Sequence, residues 1–156
     1  MNKKWIIDFI HNQITEKQNK EKYHYAYFLH SKCKIAEGTN NFIENKTCTT
    51  IHAEMNALAK IQKWKVCPTN IDLIVIKIKK NGDIGNAKPC NHCIQILSQS
   101  KIKINNVYYS TTNINTNINI IKEKFSKMKI FNINNIDKKI MSKSLRYKCG
   151  DREFNI

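Results

Sequence analysis

A layered α/β sandwich, with helices on both faces of a central sheet, is the fold class this sequence predicts, and three observations carry it. The chain opens on apolar residues at helical spacing. Its middle holds Ile71 to Ile78, a nearly unbroken β-branched run of the kind found in strands buried on both faces. Strand-like and helix-like stretches then alternate, the order that layered α/β domains show. At 156 residues the sequence reads as one domain over 1–156, large enough to bury a core without disulfide staples.

Each element has its own signal. Trp5, Ile6, Phe9, Ile10 and Ile14 fall on one face of a helix over about 3–18, which the charged run 16–22 closes. Residues 23–29 are rich in aromatics and 32–36 form a second short run before Gly38, so the two predict a hairpin. The polar stretch 40–50 predicts loop. Ala, Met, Leu and Ile at helical spacing predict a helix over 52–63, with His52 and Glu54 in its first turn and Thr50 as its cap. After the buried strand, Asn81-Gly82 and Gly85 force turns that return the chain to Pro89. A helix over 90–100 follows, in which Cys90 and Cys93 share a face. Strands at 106–110 and 129–133 and a terminal helix over about 136–147 complete the pattern. The Asn/Ile segment 113–120 is biased in composition and yields no assignment.

The formal charge is +15, and a basic chain ordinarily suggests nucleic acid or an anionic surface as partner. Here the cations are almost all lysine: Arg146 and Arg152 are the only arginines among 27 cationic side chains. Phosphate and base recognition favours the planar, bidentate guanidinium. Lys, Asn and Ile are abundant together, as an AT-rich genome produces without selection for binding. Nucleic acid is therefore allowed as a partner and not favoured. Cysteines stand at 33, 48, 67, 90, 93 and 149, and their spacing makes no disulfide framework, which predicts a reducing, cytoplasmic compartment. The N-terminal apolar stretch carries Asp8, is too short to span a bilayer and lacks a small-residue cleavage site, so neither membrane anchor nor signal peptide is expected.

The chemistry lies in two short motifs, His52-Ala53-Glu54 and Pro89-Cys90-Asn91-His92-Cys93. One imidazole and two thiolates are N and S donors suited to zinc, and three protein ligands leave a fourth position for water. Both motifs are expected at helix starts, where the dipole favours the thiolate form. Glu54, two residues after the His, stays free to move protons. The competing reading is a closed four-ligand zinc knot completed by Cys33, Cys48, Cys67, Cys149 or a further His.

His52-Ala53-Glu54-Met55-Asn56-Ala57-Leu58 and Pro89-Cys90-Asn91-His92-Cys93 resemble the two motifs of the cytidine and deoxycytidylate deaminase superfamily, over roughly residues 24–110. The resemblance implies a three-layer αβα sandwich around a sheet of about five strands. It also implies Zn2+ held by His52, Cys90 and Cys93, with Glu54 as proton shuttle. The backbone N–H of Ala53 would hold the pyrimidine carbonyl, and Asn40 or its neighbour Asn41 would contact the sugar. The expected activity is hydrolytic deamination of a cytosine-type base in a free nucleotide or nucleoside, dCMP or CMP favoured. The alternatives are a polynucleotide base deaminase and an inactive zinc-stabilised nucleic-acid-binding module. Many members of the superfamily are oligomers, but no interface is legible in this sequence.

The interval from Glu54 to Cys90 is long for the family, with 79–88 as the extra length, so a different loop is expected beside the site. His92 is expected to point away from the metal. His30 and Cys33 read as a turn histidine and a buried thiol rather than a second metal pair. One of Tyr108 and Tyr109 is expected in the core and the other towards the pocket mouth. The basic tail over about 135–156, with Lys138, Lys139, Lys143, Arg146 and Lys148, reads as a solvated face.

Overall fold

The computed structural model describes residues 4–17, 24–42, 50–114 and 117–128. The helical spacing at the start becomes α1 (Lys4–Lys17), and the aromatic run becomes β1 (His24–His30), paired antiparallel with β2 (Cys33–Thr39). Two short strands, β3 (Asn41–Phe42) and β4 (Thr50–Ile51), pair with each other and lead into α2 (Ala53–Ile61). β5 (Ile71–Ile78) is followed by β6 (Ile84–Gly85), α3 (Asn91–Gln99), β7 (Ile104–Ile114) and β8 (Asn117–Lys124). The main sheet runs β2-β1-β5-β7-β8, with β6 attached to the far end of β5. β5 and β7 are parallel, and α3 lies in the crossover between them.

Side chains alternate across this sheet, which is why it has two cores. Ala26, Phe28, Leu73, Val75, Val107 and Tyr109 face one layer, packed with Ala57, Leu58 and Ile61 of α2 and Ile94 and Leu97 of α3. Tyr25, Tyr27, Leu29, Ile74, Ile76 and Tyr108 face the other, packed with Ile6 and Ile10 of α1. Two helices on one face and one on the other make the expected three-layer sandwich. Ile6 and Ile10 are fully buried, and each contributes about 1.5–3 kcal/mol of transfer free energy. Edge-on contacts of Trp5 with Tyr108 and of Phe9 with Tyr27 fix the angle of α1 on the strands.

Gly38 fixes the seating of α2. A Cβ at this position of β2 would overlap the carbonyl oxygen of Ala53 and the backbone nitrogen of Ala57, and would stand 3.0 Å from the Ala57 Cα. Strand and helix backbone meet here without an intervening side chain, and the first turn of α2 is thereby held against the sheet.

Several expectations change. Thr50 does not cap α2: it lies in β4, and His52 occupies the N-cap position. The stretch expected as loop therefore contains two short strands. β7 is longer than the expected 106–110 because β8 pairs along it, from Asn106 opposite Lys124 to Ile114 opposite Asn117. β8 itself comes from the Asn/Ile segment. Ile120 is buried and Ile118 packs beside it in the α1 layer while Asn119 is exposed, a period-two pattern that the biased composition hides. The strand expected at 129–133, the helix at 136–147 and the basic tail lie outside the described residues.

Candidate active site

His52 and Cys90 occupy equivalent places. His52 is the N-cap residue of α2 and Cys90 that of α3, both with extended backbone, and neither side chain caps its own helix. Their carbonyls instead accept the first helical bonds, from the N–H groups of Asn56 and Ile94, at 3.0 Å in each case. Cys93 follows one turn into α3 and is fully buried. The helices pack on the same face of the sheet, so their N-termini bring the three side chains together. His52 Nδ1 lies 3.3 Å from Cys93 Sγ and 3.5 Å from Cys90 Sγ. All three donor atoms fall within 4.8 Å of one another, and among the described residues this is the group of His, Cys, Asp or Glu side chains able to hold a metal. Tetrahedral zinc at ordinary bond lengths needs donors roughly 3.5 Å apart, so the donor set and its spacing fit that ion. His92, His30, Cys33 and Cys67 are outside the cluster.

Glu54 sits beside the cluster and outside it. Its side chain lies in the first turn of α2, 6 % exposed, and lines a cleft of about 250 Å3. Burial pushes its carboxyl up to about 7, a shift opposed by its backbone hydrogen bond and by His52 and reinforced by Cys90. The two sulfurs share a proton unevenly. The hydrogen bond with Cys93 draws the Cys90 thiol down to about 4, and the same bond, together with burial, raises that of Cys93 well above its ordinary value. Metal binding has to release that proton.

The other cleft residues come from four separate segments: His24, Asn40, Ala53, and Asn86 to Lys88, beside His52, Glu54 and Cys90. Asn40 lines the cleft and also closes the end of β1. Its Oδ1 accepts the His24 N–H at 3.0 Å, and its own N–H donates to the His24 carbonyl at 3.3 Å. Asn41 is the first residue of β3, opposite Ile51. His24 was not legible as a site residue. It belongs to no local motif, and only the β1–β5 pairing and the turn through Asn40 bring it to the cleft. Burial, Lys77 and His52 lower its imidazole to about 4, so it is neutral near pH 7.

The extra length between the motifs forms a hairpin. β6 pairs with β5, Gly82 takes the positive φ of +87° in the turn, and the returning limb supplies Asn86, Ala87 and Lys88 to the cleft wall. Ser110, fully buried in β7, stitches this limb down. Its Oγ accepts the Lys77 N–H at 3.1 Å and donates to the Gly85 carbonyl at 2.8 Å, while its own carbonyl accepts the Ala87 N–H at 2.9 Å. Tyr108 and Tyr109 are both buried, on opposite faces of the sheet. The hydroxyl of Tyr109 donates to Glu123 at 2.5 Å.

Three donors suited to zinc with an acid beside them fit a class, the zinc-dependent hydrolases, and comparison with known families narrows it. The model of the cytidine and deoxycytidylate deaminase zinc-binding region matches residues 4–111, and the chain belongs to this family of zinc-dependent deaminases. Among solved structures it is similar to the dCMP deaminase of the cyanophage S-TIM5. In its apo form that protein is 20 % identical over 70 % of this chain and 86 % of its own, with a TM-score of 0.49. In complex with dCMP and dUMP the values are 20 %, 69 %, 79 % and 0.45. No curated protein matches the chain.

Proposed function

We propose that this protein hydrolytically deaminates the cytosine base of a free nucleoside monophosphate, dCMP or CMP, to the uracil nucleotide and ammonia. The observation that carries the reading is the placement of Glu54: a buried carboxyl that lines the cleft with His52 and Cys90 but stands outside the His-Cys-Cys cluster. A closed structural knot has no use for such a group.

His52, Cys90 and Cys93 would hold zinc, which when bound supplies a Lewis acid that makes water nucleophilic at neutral pH. Around it the chain's own groups divide the work. Glu54 accepts the proton that the attacking water loses and passes it to the ring nitrogen, then takes the second proton from the new C4 hydroxyl and delivers it to the amine as the C4–N bond breaks, because the amino group leaves readily only as ammonia. The N–H of Ala53 belongs to the first turn of α2, whose amides have no acceptor within the helix, and it donates to the pyrimidine carbonyl. Asn40, which also lines the cleft, donates to a sugar hydroxyl.

If Asn40 contacts the sugar, Asn40→Ala should lower kcat/KM by about three- to tenfold, the loss of roughly one hydrogen bond to a neutral group, and Asn41→Ala by much less. Steady-state kinetics with a melting curve for each variant separates this from simple damage to the β1 terminus, which would lower stability with KM unchanged.

Free nucleotide rather than polynucleotide is supported by the size of the cleft, which suits one nucleoside, and by the scarcity of arginine. The net charge of +15 favours the second reading, a polynucleotide base deaminase. Ammonia release over a panel of nucleosides, nucleotides and single-stranded oligonucleotides at several salt concentrations tests the choice. A mononucleotide enzyme turns over dCMP or CMP with shallow salt dependence. Binding of single strands would instead weaken with a slope near −0.7 per neutralised phosphate. Turnover of oligonucleotides with none on any free nucleotide would overturn the proposal.

A further inference from the structure

We propose that Lys88 is the residue that distinguishes a nucleotide from a nucleoside in this cleft, by pairing with the 5′-phosphate of the substrate. The inference rests on the mononucleotide reading above and assigns the residue that would enforce it.

A nucleoside monophosphate brings about −1.5 to −2 charges that must meet a cation or stay in water. Of the nine residues lining the cleft, Lys88 alone carries an ammonium group. His52 and Cys90 belong to the metal cluster, Glu54 is an acid, and His24 is a half-buried imidazole at the start of β1. Lys88 is also placed at the rim rather than the floor: it helps line the cleft, yet its side chain remains 50 % exposed. A nucleotide whose base lies at the buried Glu54 would carry its phosphate outward to meet Lys88 at this rim.

The backbone that carries Lys88 is fixed on both sides. Ala87 is tied to the Ser110 carbonyl, the Lys88 N–H donates to Asn86 Oδ1 at 3.0 Å, and Pro89 follows directly. The ammonium is held as well. Its Nζ lies 3.2 Å from Glu123 Oε1 and 5.7 Å from the centroid of the Tyr109 ring, and the Tyr109 hydroxyl donates to the same Glu123 oxygen. A half-exposed ion pair of this kind is worth little on its own, so a phosphate with higher charge can displace the carboxylate. The pair keeps an extended lysine in place before substrate arrives, which reduces the ordering cost of binding.

The test is calorimetric binding of dUMP and of deoxyuridine to the zinc-loaded full chain, in wild type, Lys88→Met and Lys88→Arg. Both ligands are products, so neither is consumed. Loss of a charge-assisted contact at a partly exposed site should weaken dUMP about tenfold in Lys88→Met and leave deoxyuridine within about twofold, while Lys88→Arg stays close to wild type for both. Unchanged dUMP binding in Lys88→Met, a parallel loss of both ligands, or a loss in Lys88→Arg as deep as in Lys88→Met would overturn the assignment. Failure of the wild-type protein to bind either ligand would instead bring down the nucleotide reading on which it rests.

Discussion

Glu54→Gln is expected to keep the fold and its zinc and to lose at least ~10²-fold in kcat, the usual contribution of a positioned acid or base. The amide has nearly the same shape and fills the same buried site in the first turn of α2, so the packing there should survive. What it lacks is a proton-accepting oxygen. A closed structural knot would register little change, since the side chain is outside the donor cluster. Turnover at the wild-type rate would mean that another group carries the proton, and His24 is the imidazole in the cleft that stands outside the metal cluster.

The second large effect is expected from the double variant Cys90→Ala, Cys93→Ala, which should purify without zinc and without activity. Two of three donors are gone, and the remaining imidazole cannot hold the ion at ordinary concentrations. Stability should fall too. Cys93 is fully buried on the face of α3 that carries Ile94 and Leu97, and a metal held by these ligands would cross-link the starts of α2 and α3. Metal analysis of the purified variant checks the first point and thermal melting the second. Stoichiometric zinc in this variant would remove the ligand assignment.

The core and the two motifs that meet at the cleft were legible for the same reason: their signals are local. A β-branched run such as β5 needs no partner to be recognised, and His52, Glu54, Cys90 and Cys93 stand within two short segments whose spacing is itself chemical. What the sequence hid depends on contacts between distant segments. His24 reaches the cleft only through the sheet register, opposite Lys77 across β1 and β5. The need for glycine at position 38 follows from the α2 backbone lying against β2, although a glycine inside a strand signals such an approach. The Asn/Ile stretch concealed β8 because each isoleucine alternates with a residue disfavoured in strands, and tertiary pairing with β7 overrides that preference. The length of 79–88 gave warning of a new loop, but that it doubles back on β5 and delivers Lys88 could not be read from it.

Zinc-dependent deamination is tested by measuring zinc content and ammonia release on the same sample, before chelation, after it, and after zinc is restored. With dCMP or CMP as substrate the expected result is one zinc per chain, one ammonia per uracil nucleotide formed, and activity that disappears and returns with the metal. A fully zinc-loaded protein that releases no ammonia from dCMP, CMP or their nucleosides would contradict it.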